Sequence, residues 1–205
     1  MRGGSKFEPG SEYSGLARNR ARRNREDDAL KQKAAVPTWP QGIYEVLVAQ
    51  QVRQVAYVPD AGHSELIGLC QANPGMATIS LTTEEEGVSM LAGAWLGGER
   101  GVLLMQSSGV GNCVNLFGMV QECRFPLLML VTMRGQWGEF NPWQVWMGAA
   151  TRSVLEQCGA VCYDVDEPSR VVDTVSAASK LAFDSYRSVA VLIGQRVIGS
   201  KSFQK

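Results

Sequence analysis

The sequence predicts a three-layer αβα sandwich built on a six-stranded parallel sheet, and two observations support this fold class. Six short apolar runs are continuous rather than alternating, which is typical of strands buried on both faces of a parallel sheet. Segments with helical spacing separate these runs, and right-handed crossovers place such helices on both faces of the sheet. The 205 residues, 45% of them hydrophobic, suffice for one globular core.

The elements follow from these patterns in chain order. Pro37 and Pro40 precede a first helix, whose apolar face is predicted to run from Ile43 to Val52. The six predicted strands cover residues 55–58, 77–81, 102–105, 127–131, 160–163 and 189–193. Further helices are predicted between the strands, near residues 63–72, 84–97, 110–123, 147–158 and 167–186.

The N-terminal segment differs from the rest of the chain in charge and hydropathy. Residues 1–35 carry nine Lys/Arg against five Asp/Glu and few large apolar side chains. This composition predicts a solvated, disordered tail over residues 1–37, followed by a single domain over residues 38–205. Docking of the tail onto an acidic partner is the open alternative, whereas no motif supports nucleic-acid binding.

Composition also limits the location of the protein and its metal chemistry. No apolar run approaches the roughly 20 residues that span a bilayer, and no secretory signal precedes the domain. The five cysteines form no C-x-x-C pair and His63 is the only histidine, so no metal ligands are predicted. We therefore expect a cytoplasmic protein with buried, reduced thiols.

Four of the predicted strand-to-helix turns have unusual sequences. They cover residues 59–63, 82–87, 106–112 and 132–144. Because the carboxyl ends of parallel strands share one edge of the sheet, these turns should gather there, where open α/β proteins bind ligands. Their convergence predicts a functional site at this edge.

Two familiar chemistries fit these turns poorly. The Gly109-x-Gly111 turn lacks the third glycine of a dinucleotide fingerprint and the Lys-Ser/Thr ending of a P-loop, which favours a tight turn over phosphate binding. A triad of Ser107 or Ser108 with His63 would lack the G-x-S-x-G elbow and the late histidine of α/β-hydrolases.

Single residues in these turns leave alternatives open. His63 fits either a polar helix-start residue or a site residue. Trp137, Trp143 and Trp146 fall in the predicted loop before residue 147, which either lines a pocket or packs against another chain. The acids Glu84–Glu86 begin an apolar helix, where negative charge is stabilised by the helix dipole, but one of them could equally serve a site.

Four segments together resemble the pyrimidine-binding (PYR) domain of thiamine-diphosphate-dependent decarboxylases, and more narrowly of the sulfopyruvate and phosphonopyruvate decarboxylases. The resemblance covers about residues 38–200, and its most specific part is the string Gln106–Asn115 together with the Glu84–Gly87 helix start. The four segments are Val58-Pro59-Asp60, Glu84–Val88 with Ala92-Gly93-Ala94, Met105–Asn115, and Arg134-Gly135 with Glu139–Gln144.

The resemblance implies a role for one acid of the three. In this family a glutamate nine residues before a helix glycine binds N1′ of the cofactor's aminopyrimidine, and counting back from Gly93 gives Glu84. Glu85 and Glu86 are then helix-start acids. The implied catalytic residues are Glu84 and His63, the latter as a proton-handling group. The implied cofactor-binding residues are Glu84, Pro59, Asp60, Ser108, Gly109 and Asn112. The implied substrate-pocket residues are His63, Arg134, Trp137 and Gln144.

The resemblance also implies a partner chain. The family holds the diphosphate and Mg²⁺ with a second domain that carries a Gly-Asp-Gly motif followed by Asn, and this sequence contains no Gly-Asp-Gly. The chain would then be the α subunit of an α2β2 or higher hetero-oligomer that decarboxylates a 2-oxo acid. The alternatives are a carbon–carbon lyase or carboligase acting on acyloins or diketones, aromatic ones included, and a non-catalytic PYR-like regulatory subunit.

Overall fold

The computed structural model describes residues 38–199, and the structural statements below concern this part of the chain. The predicted tail, residues 1–37, lies outside the described residues. Six strands form one all-parallel sheet in the order β2-β1-β3-β4-β6-β5, as predicted. The strands are β1 (Val52–Tyr57), β2 (Ala77–Ser80), β3 (Arg100–Gln106), β4 (Leu127–Thr132), β5 (Val161–Val165) and β6 (Ser188–Ile193).

Helices cover both faces of the sheet. They are α1 (Trp39–Ala49), α2 (Ser64–Gln71), α3 (Glu84–Leu96), α4 (Ser107–Cys123), α5 (Pro142–Gln157), α6 (Val171–Ser185) and α7 (Gln195–Ile198). Short 3₁₀ turns at Ala61–His63 and Pro168–Arg170 lead into α2 and α6. One core packs α1, α2 and α6 against the sheet, and the other packs α3, α4 and α5 against its opposite face.

Strand β3 illustrates how the sequence divides between the two cores. Val102 and Leu104 are buried in the first core, whereas Leu103 and Met105 are buried in the second. Successive side chains point to opposite faces of a sheet, so a strand covered on both sides must be apolar at every position. The continuous apolar runs of the sequence therefore predicted the three-layer architecture correctly.

Three of the boundaries that differ from the prediction bear on the site or its surroundings. Val52 belongs to β1 rather than the first helix, because α1 ends at Ala49 and Gln51 turns the chain with a φ of 57°. Helix α4 begins at Ser107, so Gly109 and Gly111 lie in its first turns and form no open turn. Helix α5 begins at Pro142, where the fixed φ of proline suits the first helical position, so Trp143 and Trp146 are helical.

Candidate active site

The site lies where the order of the strands reverses. The chain runs from β1 outward to β2 and then returns to β3 on the other side of β1, which opens a crevice at the carboxyl ends of β1 and β3. Asp60 follows β1, and Gln106 ends β3. The Gln106 side-chain amide donates from Nε2 to Asp60 Oδ1 over 3.1 Å, so a hydrogen bond spans this crevice.

Asp60 joins three strands through its carboxylate. Oδ2 accepts from the Gly62 amide at 3.0 Å and from Thr132 Oγ1, at the end of β4, at 2.7 Å. A Cβ at Gly62 would lie 2.7 Å from Thr132 Cγ2, so only glycine allows this close approach. Asp60 therefore lies at the predicted edge, with both oxygens already engaged by the chain itself.

Glu84 is a buried carboxylate at the start of α3, with 7% of the residue exposed. Gly87 lets the helix approach the sheet, because a Cβ there would lie 2.6 Å from Leu103 Cδ1. Asn112 of α4 donates from Nδ2 to Glu84 Oε2 over 2.8 Å. A Cβ at Gly109 would overlap the Glu84 carboxylate, so three predicted cofactor-binding residues meet at one point.

The structure separates the three adjacent acids. Glu85 and Glu86 are exposed, in contrast to Glu84. Glu86 Oε2 accepts from the Thr82 amide over 2.8 Å, which satisfies a backbone donor just before the helix. Glu86 thus performs the helix-start role predicted for it.

Two further site residues extend the hydrogen bonds around Gln106. Gln106 Oε1 accepts from Ser108 Oγ at 3.0 Å and from Gln144 Nε2 at 3.1 Å. Gln144 Oε1 is buried and has no hydrogen-bond partner among the described residues. Asp60, Gln106, Ser108 and Gln144 therefore form one connected network, which we call the amide network.

His63 lies beneath the carboxyl edge of the sheet, away from solvent. Its ring is fully buried, and Nε2 donates to the carbonyl of Leu130 in β4 over 3.0 Å. Burial lowers the pKa of His63, although Asp60 opposes this effect, so the ring is neutral near pH 7. His63 also precedes α2 without capping it. The structure therefore places His63 beneath this edge, and its catalytic and substrate-pocket roles stay predictions.

Arg134, a predicted substrate-pocket residue, forms an internal ion pair with Glu139. Its Nε and Nη2 each donate to Glu139 over 2.7 Å, and the two side chains are only 8% and 3% exposed. Glu139 also accepts from the backbone amides of Gly135 and Asn141 and from Gln195 Nε2. These donors, with Arg134 foremost, lower the pKa of Glu139 to about 2.

The tryptophans divide between a loop and a helix. Trp137 is half exposed; its backbone amide donates to Gln195 Oε1 at 2.8 Å, and the Arg196 guanidinium lies 5.4 Å from its ring. Trp143 and Trp146 project from the start of α5 and are 73% and 72% exposed. Beside Trp137 is a cavity of about 400 Å³ whose lining includes Gln136, Asp166 and Arg196.

Sequence reasoning left several important residues out of the predicted site. Pro59 was included and lines a shallow cavity of about 390 Å³ together with Tyr57 and Asp60. Gln106, Thr132 and Glu139 were not included, although each makes hydrogen bonds that hold a predicted residue. A polar residue that ends a buried strand, such as Gln106 or Thr132, is the signal that could have found two of them.

No group of three or more His, Cys, Asp or Glu side chains among residues 38–199 could hold a metal ion. No helix in this range is both long and apolar enough to cross a membrane. Cys123 is exposed and Cys158 is only partly buried, so the expectation of buried thiols holds for the other three cysteines alone.

Comparison with known proteins defines the class of this chain. The model of the family "thiamine pyrophosphate enzyme, N-terminal TPP binding domain" matches residues 38–143. The chain belongs to this family, which confirms the predicted PYR-type fold and thiamine diphosphate as the cofactor. A solved 2-oxoglutarate:ferredoxin oxidoreductase from Magnetococcus marinus shares the fold, with a TM-score of 0.62 and 11% identity over 79% of this chain and 29% of that chain.

Curated relatives narrow the class. The sulfopyruvate decarboxylase subunit alpha of Methanococcus maripaludis is 30% identical over 75% of this chain and 92% of its own length. The subunit of the same name from Methanocaldococcus jannaschii is 29% identical over 73% and 89%. The phosphonopyruvate decarboxylase of Streptomyces viridochromogenes is 36% identical over 52% of this chain and 28% of its own length. These similarities confirm the predicted α-type subunit of a thiamine-diphosphate-dependent decarboxylase that works with a partner subunit.

Proposed function

We propose that this chain supplies the carboxylate that activates thiamine diphosphate for decarboxylation of a 2-oxo acid, and that Glu84 is that carboxylate. One observation carries the proposal. Glu84 is buried at the carboxyl edge, yet only Oε2 receives a donor from the described residues. Glu84 Oε1 is not among the fully enclosed side-chain atoms without a partner, so it can be reached from outside the described chain and offers an acceptor to a donor from a ligand.

The residues around Glu84 fit the aminopyrimidine end of the cofactor. Gly109 leaves room beside the carboxylate, and Asn112 fixes its orientation through Oε2. Glu84 would hold a proton at the pyrimidine nitrogen, a role for which a fixed carboxylate in a water-poor site is suited. When bound, thiamine diphosphate supplies the electron sink that decarboxylation requires.

The residues do not fit the diphosphate end of the cofactor. Arg134, the cation expected at this edge, is neutralised by Glu139. The described chain also lacks a cluster of ligands for Mg²⁺. We therefore assign the diphosphate and Mg²⁺ mainly to a β subunit that carries Gly-Asp-Gly and Asn, in an α2β2 or higher assembly located in the cytoplasm.

The outer surface of α3 and α4 supports docking of that β subunit. Residues 87–96 of α3 and 107–121 of α4 contain no charged side chain, although surface helices of a globular protein usually carry charges on their outer side. Leu96 is 88% exposed on α3 and Val114 is 43% exposed on α4. A Cβ at Gly93 or at Gly118 would meet no atom within 4 Å, so packing within the described chain does not require glycine at these positions. This surface begins at Glu84 and Asn112, where the shared cofactor would lie.

Calorimetric titration of thiamine diphosphate with Mg²⁺ tests the proposal. We expect saturable binding when this chain is mixed with a Gly-Asp-Gly partner chain, and no useful binding by either chain alone. Tight binding by this chain alone would contradict the two-chain site. Release of carbon dioxide from 2-oxo acids by the two chains together identifies a decarboxylase. Cleavage of acyloins or diketones without release of carbon dioxide identifies a lyase, and absence of turnover identifies a regulatory subunit.

Gly118→Arg tests the docking surface. The substitution should leave the lone chain folded and weaken its association with the partner chain by more than tenfold, because a charge would enter an apolar contact. Thr174→Arg, on α6 at the opposite face of the sheet, is the matched control. Equal association of both variants would show that the partner docks elsewhere.

A further inference from the structure

The amide network carries an inference that rests on the proposed function and concerns Gln144. A carboxylate without a proton can only accept hydrogen bonds, whereas a glutamine amide both donates and accepts. Asp60 therefore fixes which end of the Gln106 amide faces it, and that is the donor end, Nε2, at 3.1 Å. Reversal of this amide would place two acceptors against each other.

The orientation of the Gln106 amide then determines the orientation of the Gln144 amide. With Nε2 of Gln106 turned to Asp60, its Oε1 faces outward and accepts from Ser108 Oγ and from Gln144 Nε2. Gln144 must present its donor to this oxygen, which leaves its own Oε1 on the other side. Asp60 thus determines, through two amides, that Gln144 offers an acceptor rather than a donor.

That acceptor is unfilled. Gln144 Oε1 is buried without a partner among residues 38–199, whereas Asp60 and Gln106 have partners on every polar side-chain atom. A buried polar atom left without a hydrogen bond costs about 1–3 kcal/mol, so native proteins rarely keep one without a use. The Gln144 residue as a whole is partly exposed, whereas Oε1 itself is enclosed in the lone chain, so a ligand donor reaches this oxygen when the side chain or its neighbours shift.

We propose that Gln144 Oε1 accepts a hydrogen bond from an N–H or O–H group of the bound small molecule and that Asp60 and Gln106 are positioning residues for this contact. Glu84 Oε1 and Gln144 Oε1 are both acceptors without a donor from the described chain. This chain would accordingly recognise donor groups, which a 2-oxo acid itself lacks at its reacting carboxylate and carbonyl. The donor is either the exocyclic amine of the aminopyrimidine or a hydroxyl or amine in the side chain of the substrate.

Gln144→Met removes the acceptor and keeps the length of the side chain. We expect the dissociation constant of the assembled two-chain enzyme for thiamine diphosphate, measured by calorimetric titration, to rise about fivefold to tenfold. Gln41→Met is the matched control, because Gln41 donates to Glu45 within α1, on the opposite face of the sheet, and lies outside the network. Thermal unfolding of each lone variant verifies that it folds.

The source of the donor is decided with a cofactor analogue in which hydrogen replaces the exocyclic amine. If the amine is the donor, wild type and Gln144→Met should bind this analogue equally. If the substrate is the donor, the variant should bind the cofactor normally and show a raised KM, with unchanged kcat, only for hydroxylated or aminated 2-oxo acids. Either result supports the proposal.

Asp60→Asn tests the positioning step. An asparagine can offer a donor to Gln106, so both amides become free to reverse, and the Asp60→Asn and Gln144→Met effects on ligand binding should not add. The proposal is overturned if Gln144→Met changes neither cofactor binding nor KM, or if it weakens only the association of the two chains. Failure of wild type to bind thiamine diphosphate would instead refute the proposed function.

Discussion

Glu84 and Glu139 are two buried carboxylates at the same edge of the sheet, and they differ in the number of hydrogen bonds that they accept from the chain. Glu139 accepts five hydrogen bonds, two of them from the Arg134 guanidinium. Glu84 accepts only one from the part of the chain that the structure describes, and its donor is Asn112. A carboxylate whose oxygens both accept hydrogen bonds from the chain stabilises the fold. A carboxylate with one oxygen that receives no donor from the chain can accept a hydrogen bond from a ligand. Burial alone therefore does not identify a catalytic acid; the number of donors that the chain supplies distinguishes the two roles.

The largest expected effect is on catalysis, at Glu84. Glu84→Gln should lower kcat/KM of the two-chain enzyme by about 10²–10⁴-fold, the range typical of a lost acid–base group. The free energy of unfolding of the lone chain should change by no more than about 1 kcal/mol, because one hydrogen bond is affected. Steady-state decarboxylation and urea unfolding measure the two quantities. An enzyme with Glu84→Gln that kept its activity would remove Glu84 from the mechanism.

Glu139 should show the opposite pattern in the lone chain. Glu139→Gln leaves the buried Arg134 charge uncompensated, which should reduce the free energy of unfolding by about 3 kcal/mol in urea. Glu156→Gln is the matched control, because Glu156 pairs with Arg152 at 2.9 Å on the surface, where such a pair contributes at most about 1 kcal/mol. Equal losses in the two variants would show that the Arg134–Glu139 pair contributes no more to the free energy of unfolding than the surface pair does.

The pH dependence sharpens this contrast. The pKa of Glu139 is lowered from 4.5 to about 2, so its stabilising contribution is complete above about pH 4.5 and is lost as pH falls toward 2. The wild-type chain should lose stability across this interval more steeply than Glu139→Gln, as measured by urea unfolding at several pH values. Parallel curves for the two chains would mean that Glu139 does not titrate in this way.

The sequence predicted the architecture better than the pairing of charges. Continuous apolar runs are dictated by burial on both faces, so the strands and layers followed from them. The partner of Arg134 did not follow, because both it and Glu139 lie in an irregular segment whose path depends on tertiary contacts. The single histidine drew attention through its chemistry, yet its ring packs under β4, and no residue pattern marks that direction.

The prediction for the three acids shows where spacing is informative. The count from Gly93 selected Glu84, and the structure gives that residue an environment unlike those of Glu85 and Glu86. Its catalytic role stays a prediction. The starts of α4 and α5 were missed by three and five residues because glycine and proline there suggested loops, although proline is favoured at the first helical position.

A substitution at Gly109, which lies against the Glu84 carboxylate, should have an intermediate effect on activity and stability. Gly109→Ala would add a Cβ that overlaps the Glu84 carboxylate, so the carboxylate must move. We expect kcat/KM to fall about tenfold or more and the free energy of unfolding to fall by about 1–3 kcal/mol, as in other overpacked sites.

Gly111→Ala is the control for this substitution. A Cβ at Gly111 would meet only Met147 at 3.8 Å, an ordinary contact, and alanine is favoured over glycine within a helix by about 0.5–1 kcal/mol. The chain with Gly111→Ala should therefore be as stable as wild type or more so. Unchanged activity in Gly109→Ala would mean that the position of the Glu84 carboxylate is not critical.

The smallest effects are expected at the two exposed acids, and they differ from each other. Glu86→Ala removes the acceptor for the Thr82 amide, which should lower the free energy of unfolding by about 0.5–1 kcal/mol. Glu85→Ala removes only a favourable charge at the helix start, worth about 0.3 kcal/mol, and this loss should vanish at high salt, whereas the loss at Glu86 should persist in part. Urea unfolding at low and high ionic strength separates the two. Both variants should keep kcat/KM within about twofold, since neither carboxylate is buried beside Gly109. A large loss of activity at either position would transfer the role proposed for Glu84 to its neighbour.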